Sequence, residues 1–355
     1  MLSRQAVLKG VCAAALIFVS LQTLAYLHSH ELPSLPFHRI SPFIKNDIHC
    51  YGKPDCFPSK RRFSLFDAKN NKEFCLKHGA TFRDPPPRLA TVTAQFGKHE
   101  KHYQRALGTH VLHNEVHGTD IHILSTKIID DLWNKPAFIL DLLLAEMEKP
   151  ENDRLEWLFW VDRDTIILDT CRSPLSYLPP TEREFNRTED RTRPPEAIEK
   201  IYMLATKDWN GLNNGVFLVR VNRWAVDLFV AILAHRYYRP GVELTFTEQS
   251  AMGFLLEEPQ FRDNVVWVPQ WWFNAYPRGK DKENFAPLKD DIDAEGYHAR
   301  RGDFLVHFAG VGGRDKAMSP WLDIAETAVS GWAAESKERD LDTEIRDFWA
   351  AWKNI

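Results

Sequence analysis

From residue 88 onward, short apolar runs alternate with longer stretches in which apolar and polar residues are mixed. Residues 89–93, 121–124 and 157–161 are apolar runs of the length expected for buried strands. Residues 98–107 and 136–148, which lie between them, predict helices. This order of strands and helices favours an α/β fold with a parallel sheet and helices on both of its faces.

The second half of the chain mixes the two patterns less regularly. Residues 211–215 have two glycines around two asparagines, which predicts a tight turn that lets the backbone approach a ligand closely. A packing helix is expected where apolar residues recur at helical spacing from Leu341 to Trp352. Further strands are predicted at residues 201–205, 216–219, 265–268 and 304–308, and further helices at residues 224–235 and 249–256.

Polar residues follow the first and third predicted strands at their carboxyl ends, where parallel sheets bind ligands. Gln95 follows one of them, and Asp162, Arg163 and Asp164 follow the other, so we expect these residues on one edge. Two carboxylates one residue apart form a site for a hard divalent cation, with coordination positions left open for diphosphate oxygens. The alternative is that one aspartate caps a turn and the other pairs with a basic side chain.

A third candidate ligand comes from the strand predicted at residues 304–308. This strand contains His307, and an imidazole is an acceptable ligand for Mn²⁺. Gly310 and the glycines after it permit close approach to a phosphate, and Arg314 and Lys316 can neutralise its charge. A lone histidine at a strand end is more often structural, but the carboxylate pair and the basic loop favour the ligand role.

The helix predicted at residues 249–256 begins after a loop bounded by glycine and proline. Thr247 is a candidate N-cap, which leaves Glu248 in the first turn. A helix that starts at a pocket rim would aim Glu248 or Gln249 at a sugar, and a plain capping role is the alternative.

The amino-terminal region predicts attachment to a membrane. Residues 10–27 contain no charge and have about the length of a membrane-spanning helix. Arg4 and Lys9 precede them, so residues 1–9 are expected to stay cytoplasmic and the rest to be lumenal or extracellular. We favour an uncleaved signal anchor over a cleaved signal peptide, whose apolar region is usually shorter. Residues 28–87 are then a stem, and residues 88–355 a catalytic domain.

Composition agrees with a large folded domain. The 355 residues are 44% hydrophobic and include 12 Trp and 22 Phe, enough for a large core. A net charge of −4 without a basic stripe argues against nucleic acid as a partner.

Four cysteines follow the predicted anchor, an even number that suits two disulfides in an oxidising compartment. Three pairings are possible, and we favour Cys50–Cys56 with Cys75–Cys171. A zinc site is disfavoured because the spacings lack a C-x-x-C pair. Asn186 begins a glycosylation sequon in a charged, proline-flanked stretch that predicts an exposed loop.

Taken together, five segments resemble glycosyltransferase family 34, the galactosyl, xylosyl and mannosyl transferases that include fungal Golgi enzymes. They occur in the family's order and span residues 90–321. The resemblance implies a GT-A fold, with a Rossmann-like nucleotide-binding half and a mixed central sheet, and implies Mn²⁺, a nucleotide-sugar donor and retention of anomeric configuration. The segments are WNKP (133–136), FWVDRD (159–164), GLNNGVFLVRVNRWAVDLF (211–229), EQSA (248–251) and VHFAG (306–310).

The resemblance also implies roles for individual residues. It implies metal ligation by Asp162, Asp164 and His307, and candidate catalytic roles for Glu248 and Gln249. Two residues depart from the family pattern. Arg163 stands where a small or neutral residue is more usual, and Val311 where a cysteine is common. The expected donor-binding residues are Gln95, Lys135, Asp162, Arg163, Asp164, Asn213, Asn214, Gly215, Gly310, Arg314 and Lys316.

The sequence therefore predicts a single-pass type II Golgi membrane protein that transfers a hexose to a glycan acceptor. UDP-galactose is the favoured donor, GDP-mannose the next, and UDP-xylose or UDP-glucose follow. The choice among them stays open, because hydroxyl epimers are distinguished by only a few hydrogen bonds. Attack from the face of the departing phosphate is preferred over a covalent route through Glu248. A non-catalytic subunit of a Golgi transferase complex is the alternative that Arg163 keeps open, and a lumenal hydrolase is disfavoured because no second metal cluster is evident.

Overall fold

The computed structural model of the protein describes residues 48–57, 65–78, 80, 88–178, 199–277, 296–327 and 339–352. All of them belong to one unit, Ile40–Ile355. The predicted anchor at residues 10–27 and the predicted sequon at Asn186 lie outside the described residues. Within the ranges above, no helix is both long enough and apolar enough to span a bilayer.

A seven-stranded sheet forms the centre of the unit, in the order β1-β3-β2-β4-β7-β6-β8, and β5 and β9 form a separate two-stranded sheet. The strands are β1 Ile48–Tyr51, β2 Leu89–Ala94, β3 Asp120–Leu124, β4 Trp157–Val161, β5 Thr165–Ile167, β6 Met203–Asp208, β7 Gly211–Arg220, β8 Val265–Trp267 and β9 Leu305–His307. The helices are α1 Leu65–Lys77, α2 Lys101–His117, α3 Asn134–Met147, α4 Arg223–Tyr238, α5 Glu248–Leu256, α6 Pro259–Arg262, α7 Arg314–Thr327 and α8 Leu341–Ala351. Short 3₁₀ helices occur at Asp131–Trp133, Pro174–Tyr177 and Gln270–Trp272.

The sheet is mixed, as the expected fold class requires. Strands β1 to β4 are parallel, and β8 is parallel to β6. Among the described strands of this sheet, β7 alone runs antiparallel to both of its neighbours. A short turn at residues 209–210 joins it to β6 as a hairpin. The parallel arrangement predicted for the first half of the chain is therefore confirmed, and the hairpin reverses one strand in the second half.

Helices cover both faces of the sheet because alternate strand residues point to opposite sides. On one face, Leu158 and Phe217 pack with apolar residues of α3, α4 and α5. On the other face, Phe159 and Leu218 pack with Trp272 and with apolar residues of α8. Helix α2 lies on the face opposite α3, where its own apolar residues contact those of β3. Two large cores thus hold the sheet rigid, and the carboxyl ends of its parallel strands emerge between them.

Residues 48–57 and 65–78, which fall in the predicted stem, pack against the rest of the folded unit. Strand β1 extends the sheet by pairing with β3, and α1 packs on α2. Disulfides link Cys50 to Cys56 and Cys75 to Cys171, with Cα separations of 5.7 and 5.2 Å. The favoured cysteine pairing is confirmed. The second bridge joins α1 to the segment after β5, so the two regions fold together.

Residues 211–215 are the first half of β7, so the predicted turn there is wrong. Asn213 and Asn214 are buried, and their side-chain amides donate to Tyr276 and Glu248, which are remote in sequence. Tertiary hydrogen bonds thus override the local turn preference. Thr247 does precede α5, but its hydroxyl donates to Glu248 Oε2 at 2.6 Å and does not cap the helix.

Candidate active site

Three strands, β4, β5 and β9, bring polar residues together at the carboxyl edge of the sheet. Asp162 and Asp164 follow β4, and Thr165 pairs directly with His307 across β5 and β9. This pairing brings together one carboxylate oxygen of Asp162, one of Asp164 and one imidazole nitrogen of His307, all within 4.8 Å of one another. Asp164 and His307 are buried, and Asp162 is partly exposed. The structure therefore brings the three predicted ligands into one group.

Gly215 is what allows the imidazole to lie here. A Cβ at this position would be 2.1 Å from His307 Cε1, far inside van der Waals contact. The Gly215 carbonyl also accepts a hydrogen bond from the Asp162 amide at 2.8 Å. The residue assigned to donor binding therefore has a direct structural role, because any larger side chain would displace His307.

Asn274 selects the tautomer of His307. Its Oδ1 accepts a hydrogen bond from His307 Nδ1 at 2.7 Å, while its Nδ2 donates to Thr206 Oγ1 at 2.8 Å and to Asn213 Oδ1 at 3.1 Å. Because the amide nitrogen is occupied by two acceptors, the oxygen faces the imidazole. Nδ1 is therefore the donor to Asn274, and Nε2 faces Asp164 Oδ1, 3.5 Å away. A protonated Nε2 donates to this carboxylate, whereas an unprotonated Nε2 offers its lone pair to a metal ion, with Asn274 as the outer partner on the other nitrogen.

Asp164 remains ionised despite its burial. Burial by itself would raise the pKa of its carboxyl, but hydrogen bonding to His307 and the positive charge of Arg314 outweigh burial and lower the pKa below its usual range. Arg314 Nε lies 2.7 Å from Asp164 Oδ2. The arginine predicted to bind phosphate thus lies beside the carboxylate predicted to bind the cation.

Lys135 is a buried cation that joins the two acidic parts of the site. Its Nζ lies 3.1 Å from Asp162 Oδ1 and 3.4 Å from Glu248 Oε1, and it donates to Asn214 Oδ1 at 2.8 Å. Burial alone would lower its pKa, but the charges and hydrogen bonds of the two carboxylates raise the pKa above the usual value. Lys135 therefore keeps its charge and holds Glu248 and Asp162 in a fixed relation.

The predicted catalytic pair at the start of α5 is held by the same network. Glu248 is buried and accepts from Thr247 Oγ1 and, at 3.4 Å, from Asn214 Nδ2. Gln249 Oε1 accepts from the Asn214 backbone amide at 3.1 Å. Asn214 therefore connects the sheet to both residues of the pair.

The other predicted donor-binding residues lie in the segments that follow β2, β4 and β9. Gln95 follows β2, which is the parallel neighbour of β4. The guanidinium of Arg163 lies 4.2 Å over the ring of Tyr103 on α2, so its side chain is directed at that helix. Gly310 has a φ of +68°, a conformation that disfavours residues with a Cβ. Lys316 is exposed in the first turn of α7.

A cavity of about 590 Å³ lies between the loop after β2 and the loop after β9. Its volume is in the range of small-molecule sites. Its charged lining is mixed, with Lys98, Lys101 and Arg314 beside Glu100 and Asp315. Arg314 also pairs with Asp164, so this side chain links the cavity to the predicted metal ligands.

Three residues of the network were not predicted from the sequence. Asn274 sets the His307 tautomer, and Asp208 and Tyr276 bond to each other at 2.5 Å and to Asn213. Asn274 and Tyr276 lie in the otherwise apolar segment 271–276, WWFNAY. Polar residues inside an apolar segment are the sequence feature that could have pointed to a role for these two residues.

Comparison with known proteins decides the family. Residues 67–316 match the model of the galactosyl transferase GMA12/MNN10 family. The chain belongs to this family. The resemblance to glycosyltransferase family 34 is therefore confirmed over more than half of the chain.

Relatives of the chain include proteins named as galactosyltransferases and as mannosyltransferases. The probable alpha-1,2-galactosyltransferase gmh1 of Schizosaccharomyces pombe is 24% identical over 58% of this chain and 61% of its own length. The probable alpha-1,6-mannosyltransferase MNN10 of Saccharomyces cerevisiae is 28% identical over 45% of this chain and 43% of its own length. The chain thus spans about three fifths of the first relative and less than half of the second. A solved glycosyltransferase involved in glycosylation of the PBCV-1 major capsid is 12% identical, with a TM-score of 0.46 over 67% of this chain and 100% of that one.

Proposed function

We propose that this protein is a glycosyltransferase that moves a hexose from a nucleotide-sugar donor to a glycan acceptor. The observation that supports it most is the group of Asp162, Asp164 and His307, linked through Arg314 to a cavity, in a chain of this family. Galactose is the first choice of sugar and mannose the second, since the relatives named above carry both names. A GT-A fold is proposed from the mixed sheet and from the position of the acidic pair at its edge.

The donor atoms of the site suit Mn²⁺. Two carboxylates and one imidazole nitrogen are a ligand set that this ion accepts. The bond from His307 to Asn274 leaves Nε2 facing Asp164. When bound, the ion would neutralise the negative charge of a leaving nucleoside diphosphate. Asp162, Asp164 and His307 would hold it.

The protein's own cations complete the proposed diphosphate site. Arg314 faces both Asp164 and the cavity, and Lys316 follows in the same helical turn. Backbone amides after Gly310, at the start of α7, add partial positive charge. We propose that the nucleotide occupies the cavity that Arg314 lines, with its phosphates at the group of three ligands.

The sugar is proposed to lie between the start of β7 and the start of α5. Asn213, Asn214, Glu248 and Gln249 surround that position. We propose retention by attack from the face of the departing phosphate, in which a phosphate oxygen takes the acceptor proton. Pairing of Glu248 with Lys135, Thr247 and Asn214 supports a positioning role for this carboxylate over a nucleophilic one.

Anchorage and location follow as proposals from the sequence. Residues 10–27 would anchor the chain in the Golgi membrane with residues 1–9 in the cytoplasm and the catalytic domain in the lumen. Strand β1 and the Cys50–Cys56 disulfide lie in the predicted stem, and the Cys75–Cys171 disulfide links the stem to the rest of the unit. The proposed catalytic unit therefore includes part of residues 28–87.

The test measures nucleoside diphosphate release by the detergent-solubilised full chain. UDP-galactose, GDP-mannose, UDP-xylose and UDP-glucose are each offered with oligomannose as acceptor, with Mn²⁺ and with EDTA. Metal-dependent release from one donor is the expected result and names the sugar. If correctly folded protein released nothing from any of the four, the non-catalytic subunit would become the better proposal. Product stereochemistry by NMR then tests retention.

A further inference from the structure

The β6–β7 hairpin extends well beyond the edge of the sheet that carries the candidate active site. Residues 216–220 of β7 pair with β4, whereas residues 211–215 continue past the carboxyl end of β4 and pair in part with β6. Four residues of extended chain cover about 13 Å. The tip of the hairpin therefore stands above the edge on which Asp162 lies.

Trp209 occupies this tip with most of its side chain in solvent. The residue is 68% exposed, yet its ring makes edge contacts with Tyr276 and Tyr297, whose centroids lie 5.3 and 5.4 Å away. Single exposed aromatic residues are common on protein surfaces. Trp209 differs because two further rings hold it in place with its remaining surface open.

The turn itself does not require a tryptophan. Asp208 Oδ1 accepts a hydrogen bond from the Asn210 amide at 2.7 Å, and Gly211 takes a φ of +96°. Aspartate, asparagine and glycine are the residues that close such turns. The indole is therefore available for a purpose other than forming the hairpin.

Trp209 is connected to the candidate active site through one shared ring. Tyr276 lies 5.3 Å from Trp209 and 6.0 Å from the His307 ring, measured between centroids. The Tyr276 hydroxyl donates to Asp208 Oδ2 and accepts from Asn213 Nδ2, each at 2.5 Å. The indole thus stands two ring-to-ring steps from the proposed metal ligand, a span that a short oligosaccharide would fill.

We propose that Trp209 is the stacking platform for a sugar ring of the acceptor glycan. This inference rests on the proposed glycosyltransferase function. A pyranose has an apolar face of C–H groups that packs on an aromatic ring, and its hydroxyl groups need polar partners nearby. Asp208 and Asn210 flank the indole and supply them. The platform is assigned to the acceptor because Trp209 lies at the hairpin tip and does not line the cavity proposed for the nucleotide.

The test compares Trp209→Ala, Trp209→Phe and a control in the full chain. Tyr238→Ala is the control because Tyr238 is also an exposed aromatic residue, 84% exposed, at the end of α4. Oligomannose is the acceptor probe. Donor hydrolysis without acceptor, transfer to oligomannose, and saturation-transfer NMR of oligomannose on donor-free protein are measured for each variant.

Trp209→Ala is expected to raise the KM for oligomannose about tenfold and to weaken its NMR saturation, as loss of one aromatic stacking contact implies. Donor KM and donor hydrolysis should stay within about twofold, and Trp209→Phe should recover most of the acceptor affinity. An unchanged acceptor KM and NMR signal would overturn the inference. A raised donor KM would overturn it in favour of the donor sugar, and an equal effect of Tyr238→Ala would show that the change is not local.

The NMR arm separates the two proposals. If the wild-type chain turned over no donor, the proposed function would fail, while binding of oligomannose that depends on Trp209 would still support the platform. If donor turnover were normal and oligomannose binding did not depend on Trp209, only the platform would be overturned.

Discussion

A buried histidine at the edge of the sheet and a group of three buried histidines on α2 show how the same side chain serves different purposes. His307 lies among the carboxylates and cations of the candidate active site. His110, His113 and His117 form a histidine stripe on one face of α2, and their Nε2 atoms bond to Thr165 Oγ1 at 2.9 Å, Arg172 O at 2.8 Å and Thr170 O at 3.0 Å. Burial is similar in both groups, so the partners decide the role.

The histidine stripe is electrically neutral. Burial is the main cause that lowers the pKa of His110 to about 3 and that of His113 to about 4. Backbone carbonyls can only accept, so Nε2 of His113 and of His117 carries the proton and donates it. In contrast, the active-site charges persist because each has an opposite charge within reach.

The two groups are joined at Thr165. Its hydroxyl donates to the Asp162 carbonyl at 2.7 Å and accepts from His110. Through this bond the histidine stripe supports the turn that carries Asp162 and Asp164. The charged side chains of that turn are arranged for a ligand. The following predictions test this division between a neutral support and a charged site.

The largest effect is expected from Asp164→Asn, which removes one proposed ligand of the charged site. Transfer should fall about a thousandfold, since loss of a metal contact removes several kcal/mol of charge stabilisation. Donor turnover and Mn²⁺ binding by electron paramagnetic resonance are measured. Asp263→Asn, at an exposed carboxylate paired with Arg262, is the control. More than a tenth of wild-type turnover in Asp164→Asn would contradict the ligand role.

Lys135→Met tests whether the charged site depends on internal pairing for its stability. It leaves buried Glu248 without its cation, which should lower the free energy of unfolding by about 3–5 kcal/mol. Urea unfolding measures it, and Lys207→Met, at an exposed lysine paired with Glu257, should cost under about 1 kcal/mol. Adding Glu248→Gln to Lys135→Met should recover part of the loss. Strict additivity would show that the pair is not coupled.

Acid should weaken the histidine stripe. The folded-state pKa of His113 is about 4, below its ordinary value of 6.5, so below pH 6.5 the unfolded chain binds more protons. The stabilisation is present above pH 6.5 and is lost as the pH falls toward 4. At pH 5 this one histidine should cost about 2 kcal/mol relative to pH 7.5.

His113→Gln, which can still donate to the Arg172 carbonyl, should reduce that pH dependence in urea unfolding. His78→Gln serves as the control because His78 is an exposed histidine at the end of α1. If the slope between pH 7.5 and 5 were the same in wild type and His113→Gln, His113 would not be a neutral support in the folded state.

The smallest effect is expected from Arg163→Ser, although Arg163 stands between the two aspartates. Its guanidinium packs on Tyr103, a contact worth about 0.5–1 kcal/mol. Stability should fall by about that amount, and transfer by less than about threefold. A gain in transfer of tenfold or more would show that Arg163 impairs the site and would support the non-catalytic alternative.

Much of the framework could be predicted from local patterns. The strands at residues 89–93, 121–124 and 157–161 were found with bounds that shift by at most one residue, because each is a continuous apolar run. Helix α2 extends to His117 instead of ending at residue 107, since its buried histidines find carbonyl partners on another segment. Strand β1 was missed because four residues at a half-buried sheet edge have no distinct apolar pattern.

The candidate site was likewise predicted in part. The sequence by itself determined which residue types stand at strand ends: the acidic pair after β4, the histidine in β9 and the basic loop after it. It did not determine that Gly215 makes room for His307, that Asn274 sets its tautomer or that Lys135 joins Asp162 to Glu248. A buried polar group must find a partner, but which partner it finds depends on distances between segments remote in sequence. Only the tertiary structure decides those distances.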